Sequence, residues 1–216
     1  FSDIIGFTTI SEQMEAEDLS NFLNFYLTNM CDIALRYGGT IDKFIGDSLM
    51  IFFGDPETKG AKEDAAACCN MAMEMLAFLE SNQQHFQETY NFPEKLEVRV
   101  GIHNGLCNVG NFGSAQRLDY TAIGRAVNVA SRLEQAAPKN SILVSSTVRN
   151  LIKNKFETSS PIEVKAKGID KPIASYVLTK ITSQSTKVTK EIGGFKLEYD
   201  PQKIDREALL KIINEL

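Results

Sequence analysis

An α+β or mixed α/β fold, with helices packed on a sheet, is what this 216-residue sequence predicts. Three stretches place apolar residues at helical steps. Runs of β-branched and aromatic residues stand between them, and two of these runs break at short Gly-containing turns. The resulting order is a strand end, a helix, a strand pair, a helix, a second strand pair, then smaller pieces.

Phe1 to Thr8 reads as the end of a strand entering a turn, so the sequence is expected to be part of a longer polypeptide. From Asp18 to Tyr37, Leu19, Phe22, Leu23, Tyr26, Met30, Ile33, Ala34 and Tyr37 form one stripe, ended by Gly38 and Gly39. Thr40 to Phe53 predicts a hairpin turning at Gly46-Asp47. A second helix is expected over Asp64 to Glu80, with Ala65, Cys68, Cys69, Ala72, Met75, Leu76 and Leu79 inward; its methionines read as core filler. Leu96–Ile102 and Leu106–Val109 read as a strand pair around His103-Asn104-Gly105, and Leu118–Ile123 as a further strand. A third helix spans about Ala126 to Ala136, before Pro138. Strand Ser141–Val144, a short helix near Thr147–Lys153, and strands near Pro161–Val164 and Ser175–Thr179 complete a unit over residues 1–181. Residues 182–216 read as an extension: a Ser/Thr/Lys-rich linker over Thr182–Lys190, then a terminal amphipathic helix capped by Asp205 and carrying Leu209, Ile212, Ile213 and Leu216.

Composition removes several classes. With 23 Lys+Arg against 28 Asp+Glu the net charge is −5, which argues against a nucleic-acid binder that neutralises phosphates. No apolar run approaches the ~18–20 residues of a membrane span, and no signal-peptide pattern opens the chain. The cysteines Cys31, Cys68, Cys69 and Cys107 lack metal-ligand spacing and read as small core hydrophobes in a reducing, cytoplasmic setting. The fingerprints of P-loop, dinucleotide-binding, zinc-protease and serine-hydrolase sites are absent. His85 and His103 are the only histidines, too few for a histidine triad or metal cage, and His103 reads as a turn or packing residue.

Two carboxylates stand out by position. Asp3 ends an apolar strand and Asp47 sits at a hairpin tip, where carboxylates can hold Mg²⁺ together with waters and phosphates. Asp47 could equally be a plain turn former. The segment Gly6-Phe7-Thr8-Thr9 could aim backbone N–H groups at a polyphosphate. Asn128 and Arg132, four apart, share a helix face and could meet charge developing on a phosphate; a solvated helix face explains them equally well.

Taken together, seven segments resemble the catalytic domain of the class III nucleotidyl cyclases, in the family's order. They are residues 1–8, 38–47 (Gly-Gly-Thr-Ile-Asp-Lys-Phe-Ile-Gly-Asp), 100–105, 110–114, 119–121, 127–132 (Val-Asn-Val-Ala-Ser-Arg) and 167–172. The resemblance covers about residues 1–180 and implies a ferredoxin-like α+β core, helices against one face of a mostly antiparallel sheet. It implies two metal-binding aspartates, Asp3 and Asp47, with the Ile4 carbonyl as an added ligand for two Mg²⁺ ions, which Mn²⁺ can replace. It makes Phe7 and Thr8 the turn that meets the terminal phosphates. Lys43 and Thr121 match the purine-reading pair, Asn128 the ribose-orienting residue, and Arg132 and Lys167 the phosphate-stabilising cations, with Lys165 as the neighbouring alternative.

A lysine donor at position 43 suits the N1 acceptor of adenine and mismatches the N1 donor of guanine. The implied activity is therefore adenylyl cyclase, turning ATP into cyclic AMP and pyrophosphate. The alternatives are a guanylyl cyclase and a non-catalytic dimerising or nucleotide-sensing module; the latter would be expected to have lost Asp3, Asp47, Asn128 or Arg132. The family's site is shared between two chains, so the implied partners are ATP and a second copy of this chain in a homodimer, with regulatory domains elsewhere in a parent chain. Arg125 stands where many relatives carry Asp or Asn.

Overall fold

The structure, a computed structural model, describes residues 1–164, 172–181, 188–192 and 195–199. It divides into two compact units, residues 1–180 and 181–216.

The first unit opens with β1 (Ser2–Ile4), a turn, and helices α1 (Phe7–Gln13) and α2 (Ala16–Arg36). The hairpin β2 (Thr40–Ile45) and β3 (Ser48–Phe52) follows, then α3 (Ala61–Ser81), α4 (Gln83–Tyr90) and β4 (Val98–Ile102). Next come β5 (Asn108–Ser114), β6 (Arg117–Ile123), α5 (Arg125–Ala136), β7 (Ser141–Ser145) and α6 (Ser146–Ile152). Strands β8 (Phe156–Thr158), β9 (Ile162–Val164) and β10 (Ile173–Ile181) close it. The main sheet runs β2-β3-β1-β4-β7-β10-β8, with β9 also on β10. β4 and β7 pair in parallel, whereas β1–β3, β1–β4, β2–β3, β7–β10 and β9–β10 are antiparallel, so the α+β expectation holds.

The predicted second strand pair does not form. β4 is central, with β1 on one edge and β7 on the other, so both its hydrogen-bonding edges are already used. β5 instead pairs with β6, from Asn108 opposite Ile123 to Ser114 opposite Arg117, as a separate ribbon.

Strand alternation sorts the helices onto two faces, a second departure from expectation. Val100 and Ile102 of β4 pack with Ala65, Ala66, Cys69 and Ala72 of α3. Gly101 faces the opposite way, and a Cβ there would lie 2.1 Å from the backbone nitrogen of Glu134 in α5. Only glycine lets α5 come this close, and it brings α5 onto the Asp3–Arg99 side of the sheet. On the α3 side, Phe22 of α2 anchors an aromatic cluster, 4.6 Å from Phe92 and 5.7 Å from Phe86 between ring centres.

Helices α1 and α4 lie outside the predicted set. α1 starts directly after Gly6 (φ +72°) without a side-chain cap, and α4 is polar with Phe86 alone buried. The cysteines are free, but Cys107 is exposed rather than part of the core. No helix among the described residues is long and apolar enough to cross a membrane.

In the second unit, β11 (Val188–Ile192) and β12 (Phe195–Tyr199) form an antiparallel hairpin with Val188 opposite Tyr199. Residues 188–190 therefore belong to a strand, not to the expected linker. The expected terminal helix lies outside the described residues, as do Lys165 and Lys167.

Candidate active site

β1 is three residues long, yet it lies between two other strands. Asp3 stands opposite Arg99 of β4, and Ser2 lies opposite Leu49 of β3. Asp47 follows Gly46 (φ +65°) in the turn of the β2–β3 hairpin, and its Oδ2 accepts from the Ile4 N–H at 2.8 Å. That bond joins the hairpin tip to β1 and places the second carboxylate beside the first. Asp3 is held twice more: Oδ1 accepts from Ser48 Oγ, and Oδ2 accepts from Arg99 Nη2 at 2.9 Å. The same Arg99 nitrogen stands 3.2 Å from Glu134 Oε1, an ion pair without hydrogen-bond alignment.

Pressing carboxylates together out of water disfavours their charged forms. Burial, with Asp3 adding and the Ile4 N–H opposing, pushes Asp47 up to about 6. Glu134 rises to about 7, from burial first and then the Asp3 charge, with Arg99 opposing. The donors fit a hard divalent cation: two carboxylates in contact, one carrying a raised pKa that a nearby cation would reverse. Among the described residues no three His, Cys, Asp or Glu side chains converge as a metal-binding group. So sparse a set suits an ion such as Mg²⁺ that keeps waters and substrate phosphates as ligands.

Phe7 and Thr8 form the first turn of α1, Phe7 half-buried and Thr8 exposed. The first hydrogen bond to the turn preceding this helix is Ile10 N–H to Gly6 O at 3.1 Å, which leaves the amides before it without a carbonyl one turn back.

A second constellation forms where β2 meets β6. The β2–β3 ladder pairs Ile41 with Ile51 and Lys43 with Met50, leaving Asp42 as the extra residue of a bulge. The Asp42 side chain is fully buried, and it lies 3.3 Å from Lys43 Nζ. It also accepts from the Thr121 hydroxyl, 2.8 Å to each carboxylate oxygen, and from the Ala122 N–H at 2.8 Å. Lys43 and Thr121, 78 positions apart in the numbering, are thus joined through one carboxylate.

On α5, Val129 and Leu133 face the core, Asn128 is exposed, and half-buried Arg132 donates to Gln135 Oε1 at 3.2 Å. Among the described residues, neither Asn128 nor Arg132 has a hydrogen bond or ion pair to Asp3, Asp47, Lys43 or Thr121. Within one protomer, hydrogen bonds and ion pairs thus tie Asp47 to β1 and Lys43 to Thr121 through Asp42, and join neither set to Asn128 or Arg132. A cavity of about 290 Å³, lined by apolar side chains including Met50, Phe52, Met71 and Ile102, contains none of them.

Arg99, Ser48 and Asp42 are not among the residues the motifs point to. Arg99 carries a usable signal, a lone charge inside a short apolar strand, which implies a partner; Asp42 does not, since Lys43 stands beside it in β2. His103, expected as a turn or packing residue, has Nδ1 2.9 Å from Ser145 Oγ, whose side chain caps α6.

The fold thus carries a carboxylate pair, Asp3 and Asp47, on adjoining elements, and a cation–hydroxyl pair, Lys43 and Thr121, where β2 meets β6. The adenylate and guanylate cyclase catalytic domain family matches residues 1–180, and the chain belongs to it. An adenylate cyclase of Anabaena cylindrica is 36% identical over 181 residues, covering 82% of this chain and 35% of its own length. The chain thus spans about a third of that relative. The adenylyl cyclase CyaB from P. aeruginosa superimposes with a TM-score of 0.80 at 46% identity, covering 83% of this chain and 91% of that one. The guanylyl cyclase Cya2 gives a TM-score of 0.78 at 30% identity, over 86% and 92% of the two chains.

The sign of the Asp47 shift makes a prediction for metal-free protein. A carboxylate whose folded pKa is raised withdraws stability as pH rises from the unfolded value of 3.8 to the folded value of about 6. Asp47→Asn removes that charge and can still accept from Ile4. In EDTA, the melting temperature of Asp47→Asn relative to the unaltered protein should climb between pH 4 and 6 and stay level above. A difference that is flat or falls across this window would contradict the assignment.

Proposed function

We propose that this domain is an adenylyl cyclase, converting ATP to 3′,5′-cyclic AMP and pyrophosphate. The observation that carries the reading is the Lys43–Asp42–Thr121 constellation, with a lysine donor where adenine N1 offers an acceptor. Thr121 can accept from the adenine N6 amino group. Guanine reverses both edges, presenting a donor at N1 and an acceptor at C6, so it mismatches Lys43 at N1. The adenylyl cyclases of Anabaena and P. aeruginosa support the reading, while Cya2 shows that the fold alone does not choose between purines.

In the proposed reaction the ribose 3′-hydroxyl oxygen bonds to the α-phosphorus, the bond to the β-phosphate bridging oxygen breaks, and the hydroxyl proton passes to solvent. Asp3, Asp47 and the Ile4 carbonyl would hold two Mg²⁺ ions, which when bound acidify the hydroxyl and neutralise the leaving phosphates. Ser48 and Arg99 fix the rotamer of Asp3, and the Ile4 N–H fixes that of Asp47. The amides of Phe7 and Thr8 face the terminal phosphates. Asn128 orients the ribose, and Arg132 with Lys167, or its neighbour Lys165, balances the charge that builds on the phosphates.

We further propose that each site takes its aspartates from one chain and Lys43, Thr121, Asn128, Arg132 and Lys167 from a second copy. The lack, among the described residues, of any hydrogen bond or ion pair joining these groups within one protomer supports this. So do the exposed apolar side chains Phe112, Leu118, Tyr120 and Ile123 on the β5–β6 ribbon and Phe44 and Ile45 on β2. A homodimer would carry two equivalent sites.

Two experiments test these readings. Lys43→Glu should move the ATP/GTP ratio of kcat/KM toward GTP, since an unmatched buried donor or acceptor costs about 1–3 kcal/mol. An unchanged ratio would mean that Lys43 does not touch the base. Asp47→Ala and Arg132→Ala should each be nearly inactive alone. Mixed in equal amounts with free subunit exchange, about half the dimers carry one intact site, so roughly a quarter of the original activity should return. No recovery would place the site within one chain.

A further inference from the structure

We propose that Asp42 is a specificity-positioning residue: it binds the Thr121 hydroxyl proton, so that Thr121 turns an acceptor, not a donor, toward the purine. The inference rests on the reading of Lys43 and Thr121 as the base-facing pair.

The argument starts from hydrogen-bond polarity. Three groups surround the Asp42 carboxylate, and all three donate: the Thr121 hydroxyl, the Ala122 N–H and the Lys43 ammonium. A carboxylate among donors alone accepts from each of them, so the single Thr121 proton is committed to Asp42. What remains on Thr121 Oγ1 is lone pairs. A free threonine hydroxyl rotates and can donate to the carbonyl at guanine C6 as readily as it accepts from the amino group at adenine C6. Fixing its proton removes that ambiguity. Thr121 is only 5% exposed, so water gives little compensation to a mismatched base.

The backbone is built for this contact. In a regular strand Asp42 and Lys43 would point to opposite faces of the sheet. The bulge at Asp42 lets both side chains turn toward the same group of donors. The same carboxylate binds the Ala122 N–H, which sets the height of β6 against β2 and with it the position of Thr121.

The test is the ATP/GTP ratio of kcat/KM, because general damage to the fold lowers activity on both substrates alike. Asp42→Asn keeps the shape but leaves one acceptor oxygen, which Ala122 N–H also claims, and puts an amide donor against Thr121 Oγ1, so the hydroxyl proton is held less tightly and can turn to the base. The ratio should fall roughly tenfold toward GTP, the scale of one mismatched buried hydrogen bond. Thr121→Val should lower it similarly, and adding Asp42→Asn to Thr121→Val should change it no further. Should Asp42→Asn not fold, Asp42→Ala also frees the hydroxyl and should move the ratio the same way. If Thr121→Val lowers the ratio while the folded Asp42 variant leaves it unchanged, the role of Asp42 is overturned and the base-reading pair stands. An Asp42 effect that persists in full in Thr121→Val also overturns it, since the residue would then act through Lys43. If Thr121→Val and Lys43→Glu both leave the ratio unchanged, the base-reading pair falls, and this inference falls with it.

Discussion

Asp3 and Asp47 are two anions that the fold presses together, and the arrangement around them follows from making that contact tolerable. β1 is wedged between β3 and β4, which sets Asp3 against Arg99 and lets the β2–β3 turn place Asp47 on the Ile4 N–H. One guanidinium, one hydroxyl and one amide hold the pair. They do not neutralise it, since burial still drives Asp47 up to about 6. A site left partly uncompensated favours a divalent cation and whatever anion that cation brings. Gly101 belongs to the same construction: its bare backbone admits α5 against β4, so that Glu134 meets the same Arg99 nitrogen that holds Asp3.

The end proposed to face the purine is built on the opposite logic. There a single buried carboxylate, Asp42, meets three donors and is fully satisfied. Such a contact is stiff, and stiffness is what discrimination between two similar bases needs. One end of the protomer thus holds charge ready for a ligand to complete, and the other holds fixed hydrogen-bond polarity. Under the proposed function, these two ends would be halves of two different sites.

What the sequence made legible were the elements with strong periodicity. The α2 stripe through Phe22, Tyr26, Met30 and Ile33, the Gly46-Asp47 turn, and α3 and α5 all lie where the spacing places them. α1 and α4 did not show because each buries a single residue, Ile10 or Phe86, which leaves no period to read. The false pairing of β4 with its successor came from adjacency: a turn-like His103-Asn104-Gly105 invited a hairpin, whereas non-local pairing with β1 and β7 had already filled both edges of β4. Asp3 and Asp47 could be suspected from their positions at element ends. Arg99 could be suspected of having a partner, but which one could not be read, nor could the role of Asp42, because their partners lie 96 and 79 positions away. Nor could periodicity show that Asn128 and Arg132, though on one helix face, make no hydrogen bond or ion pair with the carboxylates.

The central claim is that a domain of the cyclase family reads adenine and makes cyclic AMP. It is tested most directly by giving the purified chain equal concentrations of ATP and GTP with Mg²⁺ and quantifying both cyclic nucleotides and pyrophosphate. Cyclic AMP should dominate, with one pyrophosphate released for each cyclic nucleotide formed. Cyclic GTP-derived product in equal or greater amount, or release of inorganic phosphate without any cyclic product, would contradict the account.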